Sequence, residues 1–263
     1  VSLPVADVPV ELIALAHRLA DASGAVIRPY FRAACPVETK ADATPVTLAD
    51  KNAERAIRDI LAVLRPDDGV WGEEMGQERL DAEWVWVIDP IDGTKAFVAG
   101  KPLFATLIGL LHWGKPVLGV IDQPILRERW VGGVGHVACL NDAPVRTSAC
   151  TMLAQARLNT TSPLMFTDDA ALPYQQLQQA TRQITYGGDA YGYALLASGH
   201  LDLVLETQLK FHDFAALIPI ITAAGGVVTD WSGQTLSAES AGDVLASANP
   251  VLHQQALEKI RLR

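Results

Sequence analysis

Trp86-Val87-Ile88-Asp89-Pro90-Ile91-Asp92-Gly93-Thr94 is an apolar run that stops in two aspartates and a turn. The stretch from Trp84 to Ile88 reads as a buried strand, and it delivers Asp89 and Asp92 into a tight Pro/Gly turn. Two carboxylates so close in the chain repel each other unless a cation lies between them. Carboxylates and a turn carbonyl are the ligands a hard divalent ion takes, Mg²⁺ above all. Outward from this turn, Gly72-Glu73-Glu74 places two further acids after the apolar pair Val70-Trp71, and His212-Asp213 stands before the apolar run 214–224. Acids at the ends of hydrophobic elements, in three separate places, point to one shared metal site. Each fragment also has an ordinary reading. Asp-Pro-x-Asp-Gly is common turn chemistry, Glu73-Glu74 alone is a solvated acidic pair, and Asp213 alone is a helix N-cap.

The composition narrows the possibilities. A chain of 263 residues, 49% hydrophobic, suits one large domain or two compact halves. Its net charge of −9 argues against a nucleic-acid partner. An acidic protein can still work on anionic substrates when bound cations supply the positive field. Cys35, Cys139 and Cys150 show no zinc spacing and read as buried small hydrophobes in a reducing, cytoplasmic compartment. No apolar run reaches membrane-spanning length, and no basic segment with a hydrophobic core opens the chain. The expectation is a cytoplasmic protein with no membrane partner.

Helical spacing of Leu12, Ala16, Leu19, Ala20 and Ile27 predicts a helix over 10–32. Ala53, Ile57, Ile60, Leu61 and Leu64 predict a second over 48–64, which Thr47 and Asp50 open as a capping-box-like pair. Short β-type runs at 84–89, 103–111, 117–122, 128–132 and 137–140 read as a mostly antiparallel sheet backed by these helices. Past a junction at 141–150, strands at 156–159, 184–186, 201–206, 227–230 and 244–247 are interleaved with helices at 169–181, 190–198, 214–224 and from 250. That pattern implies an α/β half with a mixed sheet. The expected organisation is an α+β half over 1–145 carrying the metal-binding acids and an α/β half over 146–263 completing the metal and substrate site.

The acids in this order resemble the inositol monophosphatase superfamily of Mg²⁺-dependent phosphatases. Its signature Asp-Pro-Ile/Leu-Asp-Gly-Thr stands here at Asp89 to Thr94, with Gly72-Glu73-Glu74 ahead and Asp213 followed by small residues. Within the superfamily, 92–100, 102–110, 120–125, 213–217 and Gly187-Gly188-Asp189-Ala190-Tyr191-Gly192-Tyr193 are most similar to the histidinol-phosphate phosphatases. Lys95 after the threonine also occurs in the nucleotide bisphosphate phosphatases of the superfamily. Two positions depart from the pattern: His212 stands where Trp or Tyr is usual, and Leu217 where many members have a small residue. The resemblance implies an α/β fold, a layered α-β-α-β-α sandwich of the inositol monophosphatase and fructose-1,6-bisphosphatase type. Members are often dimers, so a homodimer is expected.

The implied reaction is hydrolysis of a small-molecule phosphate monoester by water, with roughly two or three Mg²⁺ ions as cofactor. Paired ions lie ~3.5–4 Å apart, which requires a bridging carboxylate; Asp89 is the candidate. Family likeness gives Glu73 and the Ile91 carbonyl as further ligands of one ion and places Asp92 and Asp213 on the second. It pairs Asp50 with Thr94, so Glu73, Thr94 and Asp50 together orient the attacking water. Gly93 and Thr94 offer backbone N–H groups to the phosphate. Lys95 reads equally as a phosphate-side cation and as a surface lysine, and Glu74 as an acid behind the site. The family places Asp189, beside Gly188, and Glu206 on the alcohol side of the substrate. Two carboxylates there, with Asp213 close in sequence, suit the ammonium of L-histidinol phosphate. Asp189 also has an ordinary reading as the N-cap of its own helix. The alternatives are an inositol-phosphate or sugar-phosphate phosphatase, a nucleotide 3′-phosphatase, and a silent metal- and phosphate-binding sensor. The intact set Glu73, Asp89, Asp92, Thr94 and Asp213 argues against the last.

Overall fold

Helices with one apolar face, and strands buried on both faces, stack here as alternating layers. The computed structural model describes residues 7–33, 37–39 and 45–261. Helix α1 (Val10–Ile27) turns Leu12, Leu15, Ala16, Leu19 and Ala20 inward. It ends before the expected residue 32 because Pro29 has no N–H to continue the ladder, and the chain tightens into a 3₁₀ turn. A hairpin of β1 (Val37–Thr39) and β2 (Pro45–Thr47) leads into α2 (Leu48–Leu64), whose limits are those expected. Its buried face carries the expected Ala53, Ile57 and Leu61 but extends further toward the start of the helix. Asp50 and Glu54 are buried with Ala49, Ala53, Ile57 and Leu61, while Leu64 is exposed. The Thr47 side chain and Cys35 lie outside the described residues.

Next come β3 (Gly69–Gly72), β4 (Gly76–Glu78), β5 (Trp84–Asp92), α3 (Thr94–Val98), β6 (Ala105–His112), β7 (Lys115–Gln123), β8 (Glu128–Gly133), β9 (His136–Leu140) and β10 (Ala143–Pro144). They form an eight-stranded sheet in the order β10-β9-β8-β7-β6-β5-β3-β4, antiparallel throughout except for the parallel pair β3/β5. The remaining chain supplies β11 (Arg157–Thr160), α4 (Ala171–Ala180), β12 (Gln183–Tyr186), α5 (Ala190–Ala197), β13 (Leu203–Glu206), α6 (Phe211–Phe214), α7 (Leu217–Ala223), β14 (Val227–Thr229), β15 (Val244–Ser247) and α8 (Pro250–Arg261). Its five strands are ordered β12-β11-β13-β15-β14, parallel on one side of β13 and antiparallel on the other.

Helices α1 and α2 cover one face of the large sheet, and α5, α6 and α7 lie between the two sheets. Helices α4 and α8 cover the far face of the small sheet. This is the α-β-α-β-α sandwich that the sequence resemblance implied. The expected helix 214–224 is two helices broken at Ala215–Ala216. Pro219 gives no N–H to the Ala215 carbonyl, which ends one helix; in the first turn of the next it is tolerated. The segment presses closely on the large sheet, since a Cβ on Gly119 would collide with the Ala216 carbonyl. Cys139 and Cys150 are half-buried rather than buried. Among the described residues no helix is long and apolar enough to cross a membrane.

Candidate active site

Side chains alternate across a strand, so Asp89 and Asp92, three apart, would point to opposite faces of a regular β5. The register shift prevents this. Asp89 pairs with Leu107 and Asp92 with Ala105, so one extra residue of β5 bulges at Pro90–Ile91. Leu107 and Ala105 belong to the core under α5–α7, and both carboxylates therefore face that layer. The bulge is held from several sides. Asp89 Oδ1 accepts from the Ile91 N–H at 3.1 Å, and the Pro90 carbonyl accepts from the Thr106 hydroxyl at 2.7 Å. The Thr94 hydroxyl donates to the Ile91 carbonyl at 3.1 Å. That carbonyl keeps a second lone pair for a cation, but pairing of Thr94 with Asp50 would need the hydroxyl to turn. Gly93, at φ +86°, supplies the left-handed residue that turns the chain into α3.

Other elements bring their acids to the same place. The Glu73 N–H donates to the Ile88 carbonyl at 3.1 Å, fixing the end of β3 beside β5. The buried Glu54 carboxylate holds the next turn, accepting from the N–H groups of Glu74 (2.7 Å) and Met75 (3.1 Å) and from Arg58 (2.7 Å). A Cβ on Gly72 would strike that carboxylate. Asp213 Oδ2 accepts from the Lys210 N–H at 2.7 Å, and Oδ1 lies 3.3 Å from His212 Nε2. Asp92 Oδ2 accepts from the Ala190 N–H at 2.5 Å, so an acid of the large sheet caps α5.

Burial and mutual repulsion dominate the electrostatics of these acids. Burial, then Glu73, Asp92, Asp213 and Asp50, push the Asp89 carboxyl well above its ordinary range. Burial, then Asp189 and Asp213, do the same to Asp92. Asp213 is pushed up to about 7, mainly by burial. Two sets of ligand atoms lie within 4.8 Å of one another: Glu73, Asp89 and His212, and Asp89, Asp92 and Asp213. Asp89 is common to both, as a bridging carboxylate must be. A dense set of oxygen donors fits a hard divalent cation, and Mg²⁺ in particular.

A small cavity opens from these acids toward α5 and the small sheet, lined by Asp92, Thr161, Asp189, Tyr193, Glu206 and Asp213 among others. Asp189 occupies the N-cap position of α5 but makes no side-chain cap bond, because Asp92 takes the helix N–H instead. Its φ is +45°, and its backbone N–H donates to the Thr161 hydroxyl at 3.1 Å. A Cβ on Gly93 would lie 3.0 Å from Asp189 Oδ2, so the carboxylate abuts the Asp-Gly-Thr turn. Burial and the Glu206 charge raise Asp189 to about 7, against the pull of exposed Lys95. Glu206 is buried and accepts from the Thr161 N–H (3.0 Å) and the Tyr193 hydroxyl (3.2 Å). Gly188, buried at φ +119°, allows the close turn between β12 and α5.

Sequence reasoning missed Glu54, Thr161 and Tyr193. Glu54 left a trace there as an acid on the inward face of α2, four residues after Asp50, and Tyr193 as the last residue of the Gly187–Tyr193 segment, with no role attached.

Comparison with known proteins identifies relatives over nearly the whole chain. The model of the inositol monophosphatase family matches residues 9–262. The bifunctional phosphatase IMPL2 of Arabidopsis thaliana is 47% identical over 256 residues, covering 94% of this chain and 74% of that protein. The histidinol-phosphatase of Chlorobaculum parvum is 36% identical over 254 residues, covering 94% and 95%. A solved inositol monophosphatase from Zymomonas mobilis superposes with a TM-score of 0.88 at 46% identity, over 96% of this chain and 98% of that one.

Proposed function

The chain belongs to the inositol monophosphatase family, and on that premise we propose that it is a Mg²⁺-dependent phosphatase whose preferred substrate is L-histidinol phosphate. Asp189 carries the choice of substrate. It is a carboxylate with no capping duty, set between the Asp-Gly-Thr turn and the Glu206 pocket. A neutral polyol gains only hydroxyl hydrogen bonds from it, whereas the ammonium of an amino alcohol gains charge attraction as well. The histidinol-phosphatase of Chlorobaculum parvum supports the reading by its likeness.

In this proposal Glu73, Asp89, the Ile91 carbonyl, Asp92 and Asp213 would hold the metal, which when bound would neutralise phosphoryl charge and make a water more acidic. Glu73 accepts the proton of the attacking water, with Thr94 and Asp50 orienting it. Backbone N–H groups of Gly93 and Thr94 bind the phosphate, and Lys95 adds positive field at its edge. The water oxygen bonds to phosphorus as the bond to the alcohol oxygen breaks; that oxygen takes a proton from a solvent water and leaves as the alcohol, and Glu73 gives its own proton back to solvent. Glu206 is held by Thr161 and Tyr193 and acts on the substrate ammonium through its charge.

A second substrate, inositol 1-phosphate, is favoured by the likeness to a bifunctional phosphatase and to an inositol monophosphatase. The test is phosphate release from L-histidinol phosphate, inositol 1-phosphate, adenosine 3′,5′-bisphosphate and fructose 1,6-bisphosphate with Mg²⁺ present. The highest kcat/KM is expected for histidinol phosphate. A higher value for any of the others overturns the substrate assignment.

A further inference from the structure

The two donor sets around Asp89 differ in kind. Asp89, Asp92 and Asp213 offer oxygen alone, whereas Glu73, Asp89 and His212 include an imidazole nitrogen. Imidazole suits Zn²⁺ and the later first-row ions such as Co²⁺, whereas Mg²⁺ takes oxygen. His212 stands where the family resemblance gives Trp or Tyr, neither of which offers a ring nitrogen able to ligate.

Its surroundings aim it at the acids. Phe211 packs on Trp71 at a ring-centroid distance of 5.0 Å and on Phe214 at 5.5 Å, anchoring α6 against β3 and the core. Trp71 lies two residues before Glu73 on that edge. The imidazole, buried between these anchors, has Nε2 3.9 Å from Glu73 Oε1 and 3.3 Å from Asp213 Oδ1. Three donors each ~2.1 Å from one ion stand at most about 4.2 Å apart. The His212–Glu73 pair, at 3.9 Å, already lies within that limit, and no two of the three donors are more than 4.8 Å apart.

We propose that His212 gives a ring nitrogen to a cation between Glu73 and Asp89, so that this position prefers Co²⁺ or Zn²⁺ to Mg²⁺. The all-oxygen set of Asp89, Asp92 and Asp213 keeps its preference for Mg²⁺. The site then distinguishes its two positions by donor chemistry and takes a mixed pair of ions where both kinds are present, Mg²⁺ alone still filling both. This inference rests on the reading of the acid cluster as a metal site.

Pulsed EPR of the intact protein loaded with Mn²⁺ tests it, read beside a calorimetric titration with Co²⁺ and with Mg²⁺. The wild-type spectrum should carry the ¹⁴N coupling of a directly bound imidazole, and both His212→Gln and His212→Tyr should lose it. Co²⁺ affinity should fall by at least the ~10–100-fold that loss of a group supporting a ligand produces, with a much smaller change for Mg²⁺. Stoichiometric Mn²⁺ binding without ¹⁴N coupling in the wild type, or coupling that survives in His212→Gln, overturns the role of His212 and leaves the metal-site reading standing. Failure to bind Mn²⁺ at all overturns both. The wild-type spectrum decides even if one variant fails to fold.

Discussion

Asp89 is 2% exposed and surrounded by other acids. Such a group is tolerable only as a neutral acid or beside a cation. In the metal-site reading it serves two ions, and an amide is a neutral, weaker ligand. Asp89→Asn should therefore reduce kcat/KM far more than Glu74→Gln, for which an effect of ~10–100-fold through the turn behind the site is expected. Equal losses would remove Asp89 from the bridging position. Asp189 gives the complementary prediction on the substrate side. A charge-assisted contact to an ammonium is worth ~1.5–3 kcal/mol, or about ten- to a hundred-fold in selectivity. Asp189→Asn should lower the ratio of kcat/KM for histidinol phosphate over inositol 1-phosphate by that factor and leave the Mg²⁺ requirement intact. An unchanged ratio would take Asp189 out of recognition. The ligand candidates were legible in the sequence because they sit at the ends of apolar runs. Thr161 and Tyr193 were not, because their role is to hold Glu206 across 45 and 13 residues of chain, and no local pattern marks such a contact.

At the scale of elements, β5 and α2 decide whether the acids meet. The bulge of β5 turns Asp92 to the same face as Asp89, and α2 gives Glu54 to hold the turn after Glu73. Gly72→Ala should push the Glu54 carboxylate aside. Overpacking of this kind costs about 1–3 kcal/mol, so Tm should fall by several degrees and Mg²⁺ affinity should drop with it. A variant with wild-type Tm and affinity would show that the Glu54 contact does not position Glu73. The limits of α2 and β15 were readable from periodicity alone. The break between α6 and α7 was not, because the stretch is apolar throughout and one proline within its first turn decides the matter. The β3–β4 hairpin was hidden too, since all of β4 is exposed and lacks alternation.

At the scale of the molecule, the cluster joins the large sheet to the central helices, with Asp92 capping α5 and Asp213 on α6. Burial there, with the neighbouring acids added, sets a pH dependence. Asp189 and Asp213 rise from 3.8 to about 7 on folding. A carboxyl with a raised folded pKa adds stability that is complete below its unfolded pKa and is lost as pH rises through the folded one. In chelator, Tm should accordingly fall between about pH 4 and pH 7. Added Mg²⁺ binds only the folded arrangement and should raise Tm most at the upper end of that window. A chelated protein whose Tm climbs steadily over the same range would contradict this picture. The central claim is that the acids around Asp89 form a metal-dependent phosphatase site. Phosphate release from L-histidinol phosphate, followed first in excess chelator and then after Mg²⁺ is restored, tests it most directly. The account predicts no turnover in chelator and full recovery on Mg²⁺ addition; steady turnover while the metal is withheld would contradict it.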